Sequence, residues 1–212
     1  MRWTLVIPLK PLARAKSRLA DTASDAVRPG LALAFAQDTV AAALACAAVR
    51  DVAVVTGDAR AGRELSALGA RVVADEPGGG LNAALAHGAG FVRSRDPESA
   101  VAALNADLPA LRPLELARVL AAAMEFPRAF LADAAAIGTT LLTASPGLEL
   151  RPAFGGDSRA RHRASGAAEL GLDAVDSVRR DVDTRDDLRA ALALGVGPRT
   201  AAAAARLLIP GQ

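Results

Sequence analysis

The chain has 212 residues, enough for one domain whose core needs no disulfide staples. Hydrophobic residues make up 52% of it and aromatic residues only 3%, so the core must consist of Ala, Val and Leu, and the composition argues against stacking platforms for single-stranded nucleic acid. The net charge is +2, and the single cysteine, Cys46, cannot form an internal disulfide, which fits a reducing cytoplasm.

Two apolar stretches raise the question of a membrane or secretory segment. The run from Leu31 to Val49 carries Gln37 and Asp38 at its centre, where a charge costs about 3 kcal/mol in a bilayer, so we interpret it as a buried helix. The stretch from Trp3 to Leu9 lacks the layout of a secretory signal. We therefore expect a cytoplasmic protein without a membrane or nucleic-acid partner.

The first predicted strand, Trp3 to Leu9, runs into a basic loop. This loop carries Lys10, Arg14, Lys16 and Arg18, and it contains both lysines of the chain. A flexible cationic loop at the end of a strand can wrap a triphosphate. The alternative is a solvated basic loop without a ligand.

The next segments alternate between helix and strand. A helix is predicted from Ala32 to Val49, a strand from Val52 to Val55, a helix from Glu64 to Leu68 and a strand from Ala70 to Ala74. Such alternation implies right-handed crossovers and a doubly wound, mostly parallel α/β sheet. No linker interrupts it, so we place residues 1–212 in a single domain.

A glycine-rich loop then precedes a predicted helix near Asn82. Gly78, Gly79 and Gly80 allow the backbone to approach a ligand closely, but neither a dinucleotide fingerprint nor a Walker motif is present. His87 in that helix is interpreted as a surface or packing residue rather than a catalyst.

The apolar run from Ala100 to Leu104 predicts a buried central strand that ends before Asn105 and Asp107. Ligands collect at the carboxyl ends of the strands in open α/β sheets, so Asp107 is a candidate metal ligand. Alternatively, Asp107 opens a turn before Pro109 or caps the helix predicted from Pro113 to Met124.

Two further segments carry hydroxyl groups near glycines. After a strand from Arg128 to Asp133, the paired Thr139 and Thr140 either present hydroxyls to an anion or pair within a strand. Further on, Ser158 and Arg159 follow a glycine turn and can bind an anion together with backbone amides. Alternatively, Ser158 caps a helix predicted from Ala164 to Leu170.

Near the C-terminus, a predicted strand from Arg180 to Thr184 sends the side chains of Asp181 and Asp183 to the same face. Two adjacent carboxylates repel each other, which a divalent cation between them would relieve. Alternatively, Asp183 or Thr184 caps the helix that runs from Asp186 to Gly195.

Together these segments resemble the guanylyltransferases of coenzyme F(420) biosynthesis, which use phosphoenolpyruvate or 2-phospho-L-lactate and belong to the glycosyltransferase-A-like nucleotidyltransferases. Seven motifs in the family's order span nearly the whole chain. They are Pro8–Lys10 with Ala15–Leu19, Gly80–Asn82, Asn105–Pro109, Asp133, Gly138–Leu142, Phe154–Ser158 with His162, and Asp181–Thr184.

The resemblance implies a nucleotide-diphospho-sugar transferase (GT-A-like), Rossmann-type fold. It also implies that GTP and a small phosphorylated acid react over Mg²⁺ and release pyrophosphate. For the protein itself, a homodimer is one possible assembly. It assigns the residues as follows: Asp107, Asp181 and Asp183 to the metal, Thr140, Gly155 and Ser158 to the acid, and Lys10, Lys16, Arg18, Gly80 and Asn82 to the nucleotide.

One departure concerns the paired threonines. Members of the family usually carry Gly-Thr-Gly before them, whereas here Ala134 to Ile137 precedes Gly138, so Thr139 is an alternative to Thr140. Two rival functions are a nucleotidyltransferase for another acceptor, such as a molybdopterin or sugar phosphate, and a nucleotide-binding module without turnover. The acid is open, with phosphoenolpyruvate favoured.

Overall fold

The computed structural model of the chain describes residues 2–14, 27–76 and 78–208, which fold around one sheet. The described residues contain seven strands: β1 (Trp3–Pro8), β2 (Val49–Val55), β3 (Arg71–Val73), β4 (Ala100–Leu104), β5 (Arg128–Ala132), β6 (Thr139–Ala144) and β7 (Ala168–Glu169). They also contain eight α-helices: α1 (Arg28–Leu44), α2 (Ala59–Ala67), α3 (Leu81–Arg95), α4 (Pro113–Ala123), α5 (Ser158–Ala164), α6 (Asp176–Arg179), α7 (Arg185–Leu194) and α8 (Pro198–Leu208). A short 3-10 helix covers Leu12–Arg14.

The sheet has the order β3-β2-β1-β4-β6-β5-β7. Strand β1 is parallel to β2 and β4, and the outer pairs β2·β3 and β5·β7 are also parallel. Strand β6 is antiparallel to both of its neighbours, β4 and β5. The predicted mostly parallel sheet is therefore confirmed, with one reversed strand inside it.

Both faces of the sheet are covered. Leu5 and Ile7 of β1 pack with α1, α2 and α4 on one face, whereas Val6 packs with α3 on the other. Alternate residues of a strand point to opposite faces, so a strand that is buried on both sides must be apolar throughout. The apolar runs of β1 and β4 meet this requirement, which confirms the predicted double winding.

Helix α3 packs unusually close to the sheet. A β-carbon at Gly88 would lie 2.5 Å from a methyl carbon of Val6 and 2.7 Å from one of Val55. Only a residue without a side chain fits at that distance. His87, the neighbour of Gly88, is exposed, in agreement with its interpretation as a surface residue.

A buried carboxylate fixes the C-terminal helix. Asp38 of α1 accepts hydrogen bonds from the backbone N–H groups of Arg199 (3.3 Å) and Thr200 (2.7 Å) at the start of α8. The first turn of a helix has unpaired N–H groups, which a carboxylate can satisfy. The charge that argued against a membrane helix is thus a long-range helix cap, and no helix of the described residues is both long and apolar enough to span a bilayer.

Two predicted elements are wrong. The helix predicted from Ala164 to Leu170 instead ends at Ala164, and the chain turns at Gly166, which has a φ of +82°, into β7. The segment from Arg180 to Thr184 forms no strand and pairs with no strand of the described residues. The predicted alternation of its side chains is nevertheless present, because Val182 is buried between the half-buried Asp181 and Asp183.

The limits of two helices also differ from the prediction. The first long helix ends at Leu44 rather than at Val49, because Val49 pairs with Trp3 in the sheet. The second helix begins at Ala59, because Asp58 accepts hydrogen bonds from two N–H groups of its first turn.

Candidate active site

A cleft of about 700 Å³ opens at one edge of the sheet. Strands β1, β4 and β5 end at this edge, and the antiparallel β6 begins there. Ligands of open α/β sheets bind at this position. The residues that line the cleft are Pro8, Leu9, Lys10, Ala32, Leu81, Asn105, Ala106, Asp107, Asp133, Ala135, Ile137, Gly138, Thr139, Phe154, Gly155, Gly156, Asp157, Ser158, Asp181 and Asp183.

The three carboxylates predicted as metal ligands all line this cleft. The N–H group of Val182 donates a hydrogen bond to the carbonyl oxygen of Asp107 (3.0 Å), which holds the segment with Asp181 and Asp183 beside the end of β4. Asn105 donates to a carboxylate oxygen of Asp181 at 3.5 Å. Three acidic side chains from two distant parts of the chain therefore face one space.

The alternative roles of these residues are partly realised. Asp107 does not cap α4, whose N-cap residue is Arg112. Thr184 caps α7 in a capping box with Asp187, so the segment ends in a fixed helix start. No three His, Cys, Asp or Glu side chains among residues 2–14, 27–76 and 78–208 are placed to enclose a metal ion by themselves.

The glycine turn before α5 lies in the same cleft. Gly155 and Gly156 have φ values of +93° and +43°, a conformation that residues with side chains rarely adopt. Ser158 is the first residue of α5 and not its N-cap, which is Asp157. The Ser158 side chain is buried and lines the cleft, and α5 has no side-chain cap hydrogen bond. The interpretation of Ser158 as a helix cap is therefore wrong.

Arg159, which was predicted to contact an anion, contacts other protein groups and does not line the cleft. Its guanidinium pairs with the carboxylate of Glu169 (2.8 Å) and donates to the carbonyl oxygen of Ala136 (2.9 Å). A second arginine, Arg161, donates to the carbonyl oxygens of Ala153 and Gly155. These arginines stabilise the surroundings of the glycine turn and do not line the cleft.

The two adjacent threonines at the start of β6, Thr139 and Thr140, differ in their surroundings. Thr139 lines the cleft, whereas Thr140 is completely buried and does not line it. The pairing between β5 and β6 shifts next to Ala132, so Thr140 has no opposing residue in β5. Within the described part of the chain, the Thr140 hydroxyl finds no hydrogen-bond partner. The hydroxyl of Thr139 is paired with His162 Nδ1 at 2.9 Å.

His162 is buried behind the cleft. Its Nε2 accepts a hydrogen bond from the N–H group of Ala153 (2.9 Å), so the proton of the neutral ring lies on Nδ1 and is donated to Thr139. Burial, together with the charges of Arg128 and Arg161, lowers the pKa of His162 from 6.5 to about 4. The imidazole is therefore neutral at pH 7.

The residues predicted to bind the nucleotide differ in their relation to the cleft. Lys10 lines it, whereas Lys16 and Arg18 lie outside the described residues. Gly80, with a φ of +88°, precedes α3, whose first residue lines the cleft. Asn82 accepts a hydrogen bond from the Phe154 N–H group (2.7 Å) and donates one to its carbonyl oxygen (3.2 Å). These two contacts join α3 to the segment before the glycine turn.

Two further carboxylates, to which the sequence analysis assigned no role, hold backbone N–H groups at this edge. Asp133 lines the cleft and accepts hydrogen bonds from the N–H groups of Ile137 (3.0 Å) and Gly138 (2.8 Å). Asp58 accepts one from Leu12 (2.9 Å) in the 3-10 helix that follows Lys10. Hydrogen bonds from the backbone N–H groups of Ala61 and Leu12 lower the pKa of Asp58. Each follows a strand at the carboxyl edge, the signal that identified Asp107.

The amino-acid sequence matches a protein family over nearly its full length. A family model described as guanylyl transferase CofC like matches residues 3–204. The phosphoenolpyruvate guanylyltransferase of Streptomyces coelicolor is 82% identical over 212 residues, which are 100% of both chains. The protein of that name from Thermomonospora curvata is 62% identical over 207 residues, covering 98% of this chain and 90% of the relative.

Solved structures of other proteins share the fold. A nucleotidyl transferase from Methanothermobacter has a TM-score of 0.61 at 21% identity, with 91% of this chain and 97% of that chain covered. A Mycobacterium tuberculosis protein solved as a complex with manganese has a TM-score of 0.54 at 20% identity, with 91% and 99% covered. At such identities the likeness concerns the fold alone, and it confirms the predicted nucleotidyltransferase fold.

Proposed function

The chain belongs to the CofC-like guanylyl transferase family, and we propose that it transfers the guanylyl group of GTP to phosphoenolpyruvate and releases pyrophosphate. The structural observation that carries this proposal is the layout of the cleft. Three carboxylates at one side and the Gly155–Ser158 turn at another face the same space of about 700 Å³. Such a space has room for a nucleotide together with a small acid.

The reaction requires little acid–base chemistry. An oxygen of the phosphoenolpyruvate phosphate attacks the α-phosphorus of GTP, a new P–O bond forms, and the bond to the pyrophosphate oxygen breaks. The attacking oxygen already carries negative charge, so no proton has to be removed from it. The protein must instead align two anions and offset their repulsion.

We assign the two substrates to different sides of the cleft. Lys10, together with Lys16 and Arg18, would meet the triphosphate of GTP, and Gly80 and Asn82 would lie beside the nucleoside. Two positions support this assignment. Lys10 lines the cleft, and so does Leu81, the first residue of α3, which lies between Gly80 and Asn82 in the chain.

The phosphorylated acid would bind Thr140, Gly155 and Ser158. Gly155 and Ser158 line the cleft, whereas the buried hydroxyl of Thr140, next to the cleft-lining Thr139, has no hydrogen-bond partner among the described residues. A buried hydroxyl without a partner costs free energy, which a bound phosphate would recover by accepting a hydrogen bond.

A divalent cation, Mg²⁺ in our proposal, would be held by Asp107, Asp181 and Asp183. Carboxylate oxygens are the ligands that Mg²⁺ prefers, and Mg²⁺ is commonly bound by one or two carboxylates together with substrate phosphates. The donor set therefore fits, although these side chains do not enclose an ion by themselves. When bound, the ion supplies positive charge that offsets the phosphates.

The direct test is to incubate the protein with GTP, Mg²⁺ and one acid at a time, and to measure pyrophosphate release and the mass of the product. Phosphoenolpyruvate, 2-phospho-L-lactate and 3-phosphoglycerate form the panel. We expect turnover with phosphoenolpyruvate, and its absence in the presence of Mg²⁺ or Mn²⁺ would contradict the proposal.

A substitution separates the two substrate sites. Ser158→Ala removes one hydrogen bond to an anion, which should weaken use of the acid by about 1.5–3 kcal/mol, or roughly ten- to a hundredfold, with little change in the KM for GTP. Ser66→Ala, at an exposed position of α2 outside the cleft, is the matched control. Equal effects of Ser158→Ala on both substrates would remove Ser158 from the acid site.

A further inference from the structure

Two side chains from distant parts of the chain hold the residues just before the glycine turn. Asn82 bonds both backbone polar groups of Phe154, and His162 Nε2 accepts the N–H group of Ala153. Gly155 follows directly, so the turn starts from a backbone that is fixed from two sides. Asn82 and Phe154 are 72 residues apart, so the fold rather than local sequence creates this arrangement.

His162 has no exposed surface and does not line the cleft. Its ring contacts Phe154 edge-on, with the centroids 5.0 Å apart, and Phe154 does line the cleft. His162 can therefore influence a bound acid only through its neighbours.

The other ring nitrogen contacts a residue of β6 that also lines the cleft. Nδ1 of His162 pairs with the hydroxyl of Thr139, the first residue of β6, at 2.9 Å. Thr139 lines the cleft and precedes Thr140, one of the residues that we assign to the acid. One neutral imidazole thus connects the start of β6 to the segment that leads into the turn.

We propose that His162 is a positioning residue of the acid site, which sets the distance between the start of β6 and the Gly155–Ser158 turn. This inference rests on the proposed function. The start of β6 and the Gly155–Ser158 turn would both contact one small phosphorylated acid. Displacing a reacting group by about 1 Å can cost on the order of a hundredfold in rate. The two hydrogen bonds of His162 form a bridge between these segments. Each has a defined direction, because Nε2 accepts one and Nδ1 donates the other.

The test compares His162→Phe with His162→Gln in the full chain. Phenylalanine keeps a ring of similar size but removes both hydrogen bonds, so the KM for phosphoenolpyruvate should rise roughly tenfold while the KM for GTP stays unchanged. Glutamine retains one acceptor and one donor on its amide and should restore part of the loss. If His162→Phe is not recovered folded, Thr139→Val removes only the hydroxyl end of the bridge and should raise the same KM.

A variant with a remote defect serves as the control for lost stability. Val119→Ala creates a cavity in α4, at a completely buried position away from the cleft, and should lower the melting temperature without changing either KM. The inference is overturned if His162→Phe lowers the melting temperature but leaves the KM for the acid unchanged, or if glutamine rescues no better than phenylalanine. A failure of the proposed function is distinguishable, because the wild-type protein would then release no pyrophosphate from GTP and phosphoenolpyruvate.

Discussion

The neutral, buried His162 predicts a specific loss of stability in mild acid. Its pKa is lowered from 6.5 to about 4, first by burial and then by Arg128 on β5 and Arg161 on α5. Below pH 6.5, His162 therefore binds a proton in the unfolded chain but stays neutral in the folded chain. The folded state binds this proton only near pH 4. At ~1.4 kcal/mol per pKa unit, this lowers the free energy of unfolding by about 2 kcal/mol at pH 5 and about 3 kcal/mol at pH 4.

The measurement is urea denaturation at a series of pH values from 7.5 to 4.5. The comparison is with His162→Gln, which is less stable at pH 7.5 but has no titrating group at this position. The two stability curves should converge as the pH falls from 6.5 to 5, whereas Val119→Ala should run parallel to the wild type. Carboxylates with lowered pKa values, such as Asp58 and Glu169, lose their contributions only at lower pH, so the window is specific. Parallel curves for the wild type and His162→Gln would refute the assignment of a neutral buried imidazole.

Four further substitutions test the packing and the metal site. Gly88→Ala should lower the free energy of unfolding by about 1–2 kcal/mol, because its β-carbon meets two valine methyl groups. Gly90→Ala lies in the same helix with open space around it, so it should raise the free energy of unfolding by up to about 1 kcal/mol. Urea denaturation measures both. Gly197→Ala would place a β-carbon 2.3 Å from the Asp38 carboxylate carbon and displace the cap of α8, at a cost of about 2 kcal/mol or more, read from the melting temperature. Asp107→Asn should abolish pyrophosphate release without changing the melting temperature by more than a few degrees, and near-normal release at saturating Mg²⁺ would remove Asp107 from the metal site.

The sheet was predictable because its signal is local. The run from Ala100 to Leu104 is apolar at every position, which a strand buried on both faces requires, and the polar Asn105 marks its end. The same reasoning placed Asp107 at the edge where the cleft opens. For Asp181 and Asp183 the alternation of side chains was right although the segment pairs with no described strand, because Val182 is buried and its two neighbours remain partly exposed.

The supporting contacts of the site were not predictable because they join residues far apart in the chain. Nothing near Asn82 indicates that its amide bonds the backbone of Phe154, and nothing near His162 indicates that its ring bonds Thr139. The Ala-rich stretch from Ala164 to Leu170 has high helix propensity, but pairing of β7 with β5 overrides it. Local propensity is a weak guide wherever tertiary contacts determine the conformation.

The reversed strand β6 explains how the two halves of the cleft meet. The strand has six residues, so at about 3.3 Å per residue its ends are roughly 17 Å apart. Because β6 runs antiparallel to β4 and β5, its first residue, Thr139, lies at the edge where those two strands end. Asp107 follows the end of β4 and Asp133 follows the end of β5 at this edge. A parallel strand at the same place would put Thr139 at the far edge, out of reach of His162 and the glycine turn. Thus the one departure from a parallel sheet brings the proposed acid-binding segments beside the carboxylates.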